Sequence, residues 1–212
     1  MRKIVVILIA LGFAACQQKQ GSPGQEQVLI GKKEMTIEGK RLTPEVLWSF
    51  GRIGEFAVSP DGKQVVYTVT YYDIAQNKGN TEILTVDTDG RDKKQLTFTP
   101  GHENCLSWSA DGKKIFYLSS LTGSSQIWCM NSDGSEPAQV SEYNGDITNY
   151  ILSPTEDKVL FTADVKVDKS VEDIYPDLPK ANGMIIDDLM YRHWDNWEDG
   201  SYSHIFIADF KD

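Results

Sequence analysis

Three stretches of the chain carry one pattern, and an internal repeat constrains a fold more tightly than any local propensity. They are Ser59-Pro-Asp-Gly-Lys-Gln-Val-Val-Tyr-Thr-Val69, Ser109-Ala-Asp-Gly-Lys-Lys-Ile-Phe-Tyr-Leu-Ser119 and Ser153-Pro-Thr-Glu-Asp-Lys-Val-Leu-Phe-Thr-Ala163. Their starts lie 109 − 59 = 50 and 153 − 109 = 44 residues apart. A second pair, Ile83-Leu-Thr-Val-Asp-Thr-Asp-Gly90 and Ile127-Trp-Cys-Met-Asn-Ser-Asp-Gly134, is also 127 − 83 = 44 apart. Each half of the unit therefore keeps its own register.

One unit reads as four short antiparallel strands. Glu55–Val58 leads into Ser59-Pro-Asp-Gly62, where Pro presets φ and Gly accepts a positive φ. The β-rich run Val65–Val69 leaves that turn and makes a hairpin. Ile83–Val86, a turn at Asp87–Gly90 and Lys94–Phe98 complete the unit. A period of this length with no 3.6-residue pattern excludes helical solenoids and matches the blade of a β-propeller. The expected fold is all-β: a partial propeller of about three four-stranded blades, at 53–99, 103–141 and 147–212, the last with a helical insertion at 164–203. Before the blades, Thr43-Pro-Glu-Val-Leu-Trp-Ser-Phe50 reads as a short helix with Thr43 as N-cap and Pro44 at its first position.

The N-terminus reads as a signal. Basic Arg2 and Lys3 precede an apolar run from Ile4 to Phe13, then Ala14-Ala15 and Cys16. The run is too short for a spanning helix and has the layout of a secretory signal. Cysteine after two alanines resembles the bacterial lipobox, so residues 1–15 are the expected signal peptide and Cys16 the lipidated residue. Residues 16–40 are then a tether, and the protein sits in the periplasm or at the cell surface, held to the membrane by its lipid. The 21 Lys+Arg and 31 Asp+Glu give −10, which becomes 19 − 31 = −12 once Arg2 and Lys3 are removed. That acidity speaks against nucleic acid as a partner.

Ten carboxylates lie between Asp164 and Gly200, inside the insertion. There Ile186, Leu189, Met190, His193, Trp194 and Trp197 fall at helical spacing. In one reading the stripe packs on the propeller and the acids form a solvated face. In the other the insertion borders a cleft, with Asp187, Asp188, Arg192, His193, Trp194, Trp197 and Glu198 as candidate substrate-binding residues.

No residue is assigned to catalysis. Gly123-Ser-Ser-Gln-Ile127 and Gly200-Ser-Tyr-Ser-His204 come nearest to a nucleophile elbow, but both lack the second Gly and a following helix. His102, His193 and His204 have no motif around them. Asp87-Thr-Asp-Gly-Arg-Asp92 lacks the spacing and terminal Glu of a calcium loop, so neither metal nor cofactor is expected. Cys105 and Cys129 fall on the first and third strands of blade two, which places a strand between them and argues against a disulfide.

Leu42-Thr-Pro-Glu45, Ser59-Pro-Asp-Gly62, Trp128–Gly134, Asp173-Ile-Tyr-Pro-Asp-Leu-Pro-Lys180 and Asp188-Leu-Met-Tyr-Arg-His-Trp-Asp195 together carry a resemblance. Over about residues 41–212 the chain resembles the N-terminal part of bacterial secreted serine peptidases of the prolyl oligopeptidase family, in the dipeptidyl-peptidase-five and acylaminoacyl-peptidase branch. The resemblance implies a propeller that admits and positions short peptides for a C-terminal α/β-hydrolase domain of the same polypeptide. Such enzymes release dipeptides or acylated residues from peptide N-termini through a Ser, His and Asp set. In related branches acidic groups hold the substrate amine, which draws attention to Asp187, Asp188 and Glu198. The chain stops at Asp212 without that hydrolase domain, and alone it is expected to be inactive. A non-enzymatic periplasmic propeller lipoprotein that acts as a binding scaffold is the alternative.

Overall fold

The computed structural model describes residues 29–35, 39, 41–180, 183–187, 189–194 and 196–210. The expected signal peptide, Cys16 and most of the expected tether lie outside the described residues, as does Asp188. Within the tether range, Ile30 is buried and its carbonyl oxygen accepts from Asn80 Nδ2 at 3.3 Å.

The first helix, α1 (Pro44–Ser49), starts as its sequence requires. Thr43 is extended, its hydroxyl accepts from Val46 N at 3.3 Å, and Pro44 fills a position whose N–H has no helical acceptor. The ring of Trp48 then meets Tyr72 edge-on at 5.3 Å, with the Arg52 guanidinium 4.6 Å from its centroid.

Two four-stranded antiparallel sheets follow. The first contains β1 (Arg52–Val58), β2 (Gln64–Asp73), β3 (Lys78–Asp87) and β4 (Lys94–Gln95), in that order. The second contains β5 (Glu103–Trp108), β6 (Lys114–Ser119), β7 (Gln126–Asn131) and β8 (Ala138–Gln139), with the same order. The third opens with β9 (Ile147–Leu152) and β10 (Lys158–Lys166). Its insertion holds α2 (Val171–Ile174), β11 (Arg192–His193) and β12 (Asn196–Trp197). The chain then returns as β13 (Ser201–Asp209), which pairs with β10 in unbroken register from Lys158↔Asp209 to Lys166↔Ser201.

The repeated turns are held by the residues that define them. Ser59 Oγ donates to Asp61 Oδ1 at 2.7 Å and accepts from Gln64 N, while Gly62 takes φ +72°. Ser109, Asp111, Lys114 and Gly112 (φ +70°) repeat the arrangement. In blade three Glu156 stands at the glycine position with φ +56°, and its carboxylate reaches back to Ala110 N at 2.5 Å.

Packing between blades follows the two-residue period of the strands. On β6, Ile115 and Tyr117 pack with Val66 and Ile83 of blade one, while Phe116 and Leu118 pack with Val159 and Phe161 of blade three. A central blade buried on both faces explains the unbroken apolar run Ile115–Leu118. The end blades differ. Tyr67, Val69 and Leu84 cluster on the outer face of blade one beside exposed Ile53 and Phe56. On β13 the exposed Ile205 and Ile207 flank Phe206, whose ring stacks on Phe161 at 5.1 Å.

Cys129 is buried on β7 and Cys105 half-buried on β5, with β6 between them. Among the described residues no helix is long and apolar enough to cross a membrane.

The insertion corrects one expectation. The described residues of 186–197 do not form an amphipathic helix; among the described residues, helix in the insertion is confined to α2, and Arg192↔Trp197 and His193↔Asn196 pair as a small hairpin. Trp194 turns the chain with φ +54°, and Leu189 and Trp194 are 83% and 86% exposed, so among the described residues these side chains are not buried as a helical stripe would require. The inserted segment also runs from 167 to 200, because β10 and β13 extend further than expected.

Candidate functional site

The insertion forms a concave part of the described surface. Its start is fixed by α2: Ser170 Oγ accepts from Asp173 N, and the Asp173 carboxylate accepts from Ser170 N at 2.8 Å. Lys166 lies 3.4 Å from the same carboxylate. The Ser170 N–H, the Ser170 hydroxyl and then Lys166 hold the Asp173 carboxyl below its ordinary range. Its end is fixed where Gly200 O accepts from both Val167 N and Asp168 N. Gly200 has φ +79°, and a side chain there would meet Asp168 Cβ at 2.8 Å.

Between these anchors lies a cavity of about 870 Å³. Met184, Ile185, Ile186, Leu189, Met190 and Trp197 give it an apolar lining, and Asp168, Asp187, Glu198 and Asp199 add carboxylates to a lining that also includes Lys166 and Lys169. The Tyr202 hydroxyl donates to Asp168 Oδ2 at 2.8 Å, and that bond raises the phenol above its ordinary range.

The structure brings together part of the expected set. Asp187, Trp197 and Glu198 line this cavity. Arg192, Trp194 and Trp197 line a smaller depression beside it, which shares Leu189, Met190 and Tyr191. Trp197 joins the two: Tyr191 stacks on it at 5.8 Å, the Arg192 guanidinium sits 5.4 Å from its centroid, and Glu198 N donates to Tyr191 O. His193 lies edge-on to Trp194 at 6.1 Å and lines neither depression.

Sequence reasoning missed Lys166, Asp168, Lys169 and Tyr202, which it left within the 164–203 insertion without a role. It also missed α2, although Ser170-Val-Glu-Asp173 is a capping-box pattern. Chemically, an apolar trough with carboxylates and two lysines suits a short peptide: side chains on the apolar lining, main-chain and amine groups at the polar atoms. Among the described residues no serine hydroxyl is bonded to a histidine ring, and no cluster of His, Cys, Asp and Glu has the makings of a metal site.

Residues 45–182 match the family model of the TolB beta propeller domain. The dipeptidyl-peptidase 5 of Porphyromonas gingivalis is 47% identical over 189 residues, which cover 87% of this chain and 28% of that protein. The dipeptidyl-peptidase 5 of Porphyromonas endodontalis is 37% identical over 213 residues, covering 98% of this chain and 29% of that protein. A solved acylaminoacyl peptidase, in complex with Z-Gly-Gly-Phe-chloromethyl ketone, aligns with 77% of this chain and 24% of its own at a TM-score of 0.59 and 16% identity, a likeness of fold. The chain thus spans less than a third of the length of these curated relatives.

Proposed function

The chain belongs to the TolB beta propeller family, and from that premise we propose that it is the N-terminal, non-catalytic propeller region of a secreted serine exopeptidase. Its role is to gate and position short peptides for an α/β-hydrolase domain on the same polypeptide, which releases dipeptides or acylated residues from their N-termini. The observation that carries this reading is the 47% identity to a dipeptidyl-peptidase 5 across 87% of the chain. The insertion cavity supplies the contact surface, with Trp197 and the apolar lining against side chains and Asp187 and Glu198 toward the amine; Asp188, outside the described residues, is a further candidate from sequence. Arg192, His193 and Trp194 extend that surface along the hairpin. We place the protein in the periplasm or at the cell surface, anchored through lipid on Cys16.

The test is kinetic, on the polypeptide that the complete reading frame encodes. With dipeptidyl p-nitroanilides, Trp197→Ala and Glu198→Gln are expected to raise KM several-fold more than they lower kcat, since they alter binding and not the reacting groups. Unchanged KM in both would remove the cavity from the substrate path. The 212-residue chain by itself is expected to release no p-nitroaniline. Labelled palmitate should enter the wild type and not Cys16→Ser. A second reading, a non-enzymatic scaffold, draws on the match to the TolB beta propeller model; a complete reading frame without a Gly-x-Ser-x-Gly elbow would favour it.

A further inference from the structure

The crossover from blade one to blade two hides two acids. Thr81 of β3 and His102, which precedes β5, form an isolated parallel bridge. The next residue along each segment is a glutamate, and both are enclosed: Glu82 is 1% exposed and Glu103 0%. Residues one step beyond a parallel bridge point to the same side, so the two carboxyls are neighbours.

They also hold the crossover in place. Thr97 Oγ1 donates to Glu82 Oε2 at 2.7 Å while accepting from Ile83 N at 2.8 Å. Asn80 Nδ2 donates to Glu82 Oε1 at 2.6 Å. Thr99 Oγ1 donates to Glu103 Oε1 at 2.5 Å, and Ser119 Oγ of β6 reaches the same oxygen at 3.2 Å. Glu103 Oε2 is buried without a hydrogen-bond partner. The titratable groups nearest the pair are Tyr117 of β6, whose phenol burial and then the Glu103 charge push up, and His102, whose Nδ1 lies 3.3 Å from Thr81 Oγ1. Among the described residues neither glutamate is paired with a lysine or arginine. Two enclosed carboxylates with no cation resist carrying two charges.

Blade two builds the same crossover with a neutral amide and an apolar side chain in place of the two enclosed acids. Gln126 stands for Glu82, Ser141 for Thr97 and Ile147 for Glu103, each 44 residues on. Gln126 Oε1 accepts from Ser141 Oγ at 2.8 Å and Tyr143 N at 2.9 Å, its Nε2 donates to Tyr143 O and Gly145 O, and Ile127 N donates to Ser141 Oγ. The protein therefore contains its own control.

We propose that Glu82 and Glu103 form a proton-operated latch on the first crossover: while the pair holds one proton, residues 97–103 stay locked to β3, and when Glu103 gives that proton to water the segment loosens. Burial, with a smaller push from the Glu82 charge, brings the Glu103 carboxyl up to about 7, so the latch works in the neutral range. The second crossover, with Gln126, is indifferent to pH.

Hydrogen exchange on the full chain, read by mass spectrometry at about pH 5.5 and about pH 8.5 and corrected for the intrinsic rate, tests this. Protection of residues 97–103 is expected to fall about tenfold at the higher pH, the size of one pKa unit, while that of 141–147 stays constant. Glu103→Gln should abolish the response. Crossovers that respond alike, or a Glu103→Gln chain that keeps the wild-type response, would overturn the proposal. Should that variant fail to fold, Glu82→Gln installs the residue that blade two already uses. It is expected to move the midpoint of the response to lower pH, and an unmoved midpoint would equally overturn it.

Discussion

Trp108 of β5 donates its indole N–H to the carbonyl oxygen of Ala57 on β1, 3.1 Å away, and so ties the first strands of two successive blades together. The ring also packs on the cluster that contains Val66, Ile83 and Ile115. Trp108→Phe keeps most of the apolar contact and leaves the Ala57 carbonyl without this donor. The expected cost is about 1–2 kcal/mol, read as a melting temperature lower by about 2–8 °C. An unchanged melt would show that the ring, and not the bond, joins the strands.

Gln126 should be among the least replaceable polar residues. Gln126→Leu keeps the volume but strips partners from Ser141, Tyr143 and Gly145. Because these groups are enclosed, about 3 kcal/mol or more is expected in urea unfolding. Lys63→Ala, which removes the exposed pair with Asp61, is expected to leave the urea midpoint where it is.

Gly200→Ala probes the anchor of the insertion. At φ +79° and with Asp168 Cβ 2.8 Å from the added carbon, the substitution is expected to cost about 1–3 kcal/mol. The loss should be local. Limited proteolysis is expected to cut between 167 and 200 sooner than in the wild type while the β-sheet circular dichroism is retained; simultaneous loss of both would mean that the insertion supports the blades.

Two groups of acids set opposite slopes on stability against pH. Asp111, held down to about 2 mainly by the Lys113 N–H and then by the Ser109 hydroxyl, stabilises the fold above its ordinary 3.8 and loses that effect as pH falls through 2. Glu103, raised from 4.5 to about 7 chiefly by burial, acts the other way: its contribution is complete below 4.5 and is lost as pH rises through 7. That shift corresponds to about 3 kcal/mol. Glu103 is therefore expected to pull urea midpoints down as pH rises from 4.5 through 7, and Asp111 to pull them down as pH falls from 3.8 toward 2. Midpoints that climb steadily from 4.5 to neutrality would contradict the buried state of Glu103.

What could be read from the sequence was whatever the chain says locally and repeatedly. The turns at Ser59 and Ser109 are written in four residues and closed by their own side chains, so pattern and structure agree. The hairpin at Arg192–Trp197 was misread because an isolated set of apolar residues fits two periods, and the choice depends on a burial that Leu189 and Trp194 never obtain. Glu82 precedes the strand expected at Ile83–Val86 and carries no motif of its own. Its role shows only when its partner Thr97, 15 residues on, is seen against Gln126 and Ser141, a comparison that needs the hydrogen bonds. Lys166 and Tyr202 fell inside the expected insertion, although they end β10 and begin β13, and their shared cavity arises from a fold-back that no window of sequence contains.

The difference between the 50-residue and 44-residue spacings has a plain origin: β2 and β3 each run for ten residues, against six for β6 and β7, so the surplus goes into a longer hairpin. The 167–200 segment enters at the equivalent hairpin of blade three and leaves the pairing of β10 with β13 unbroken. One connection in each blade therefore behaves as a socket whose contents change without disturbing the wall that holds it. Recognition in such a molecule can diversify by exchanging cassettes between the second and third strands, while the Ser-x-Asp-Gly turns and the polar crossovers, written elsewhere in the unit, stay under separate constraint.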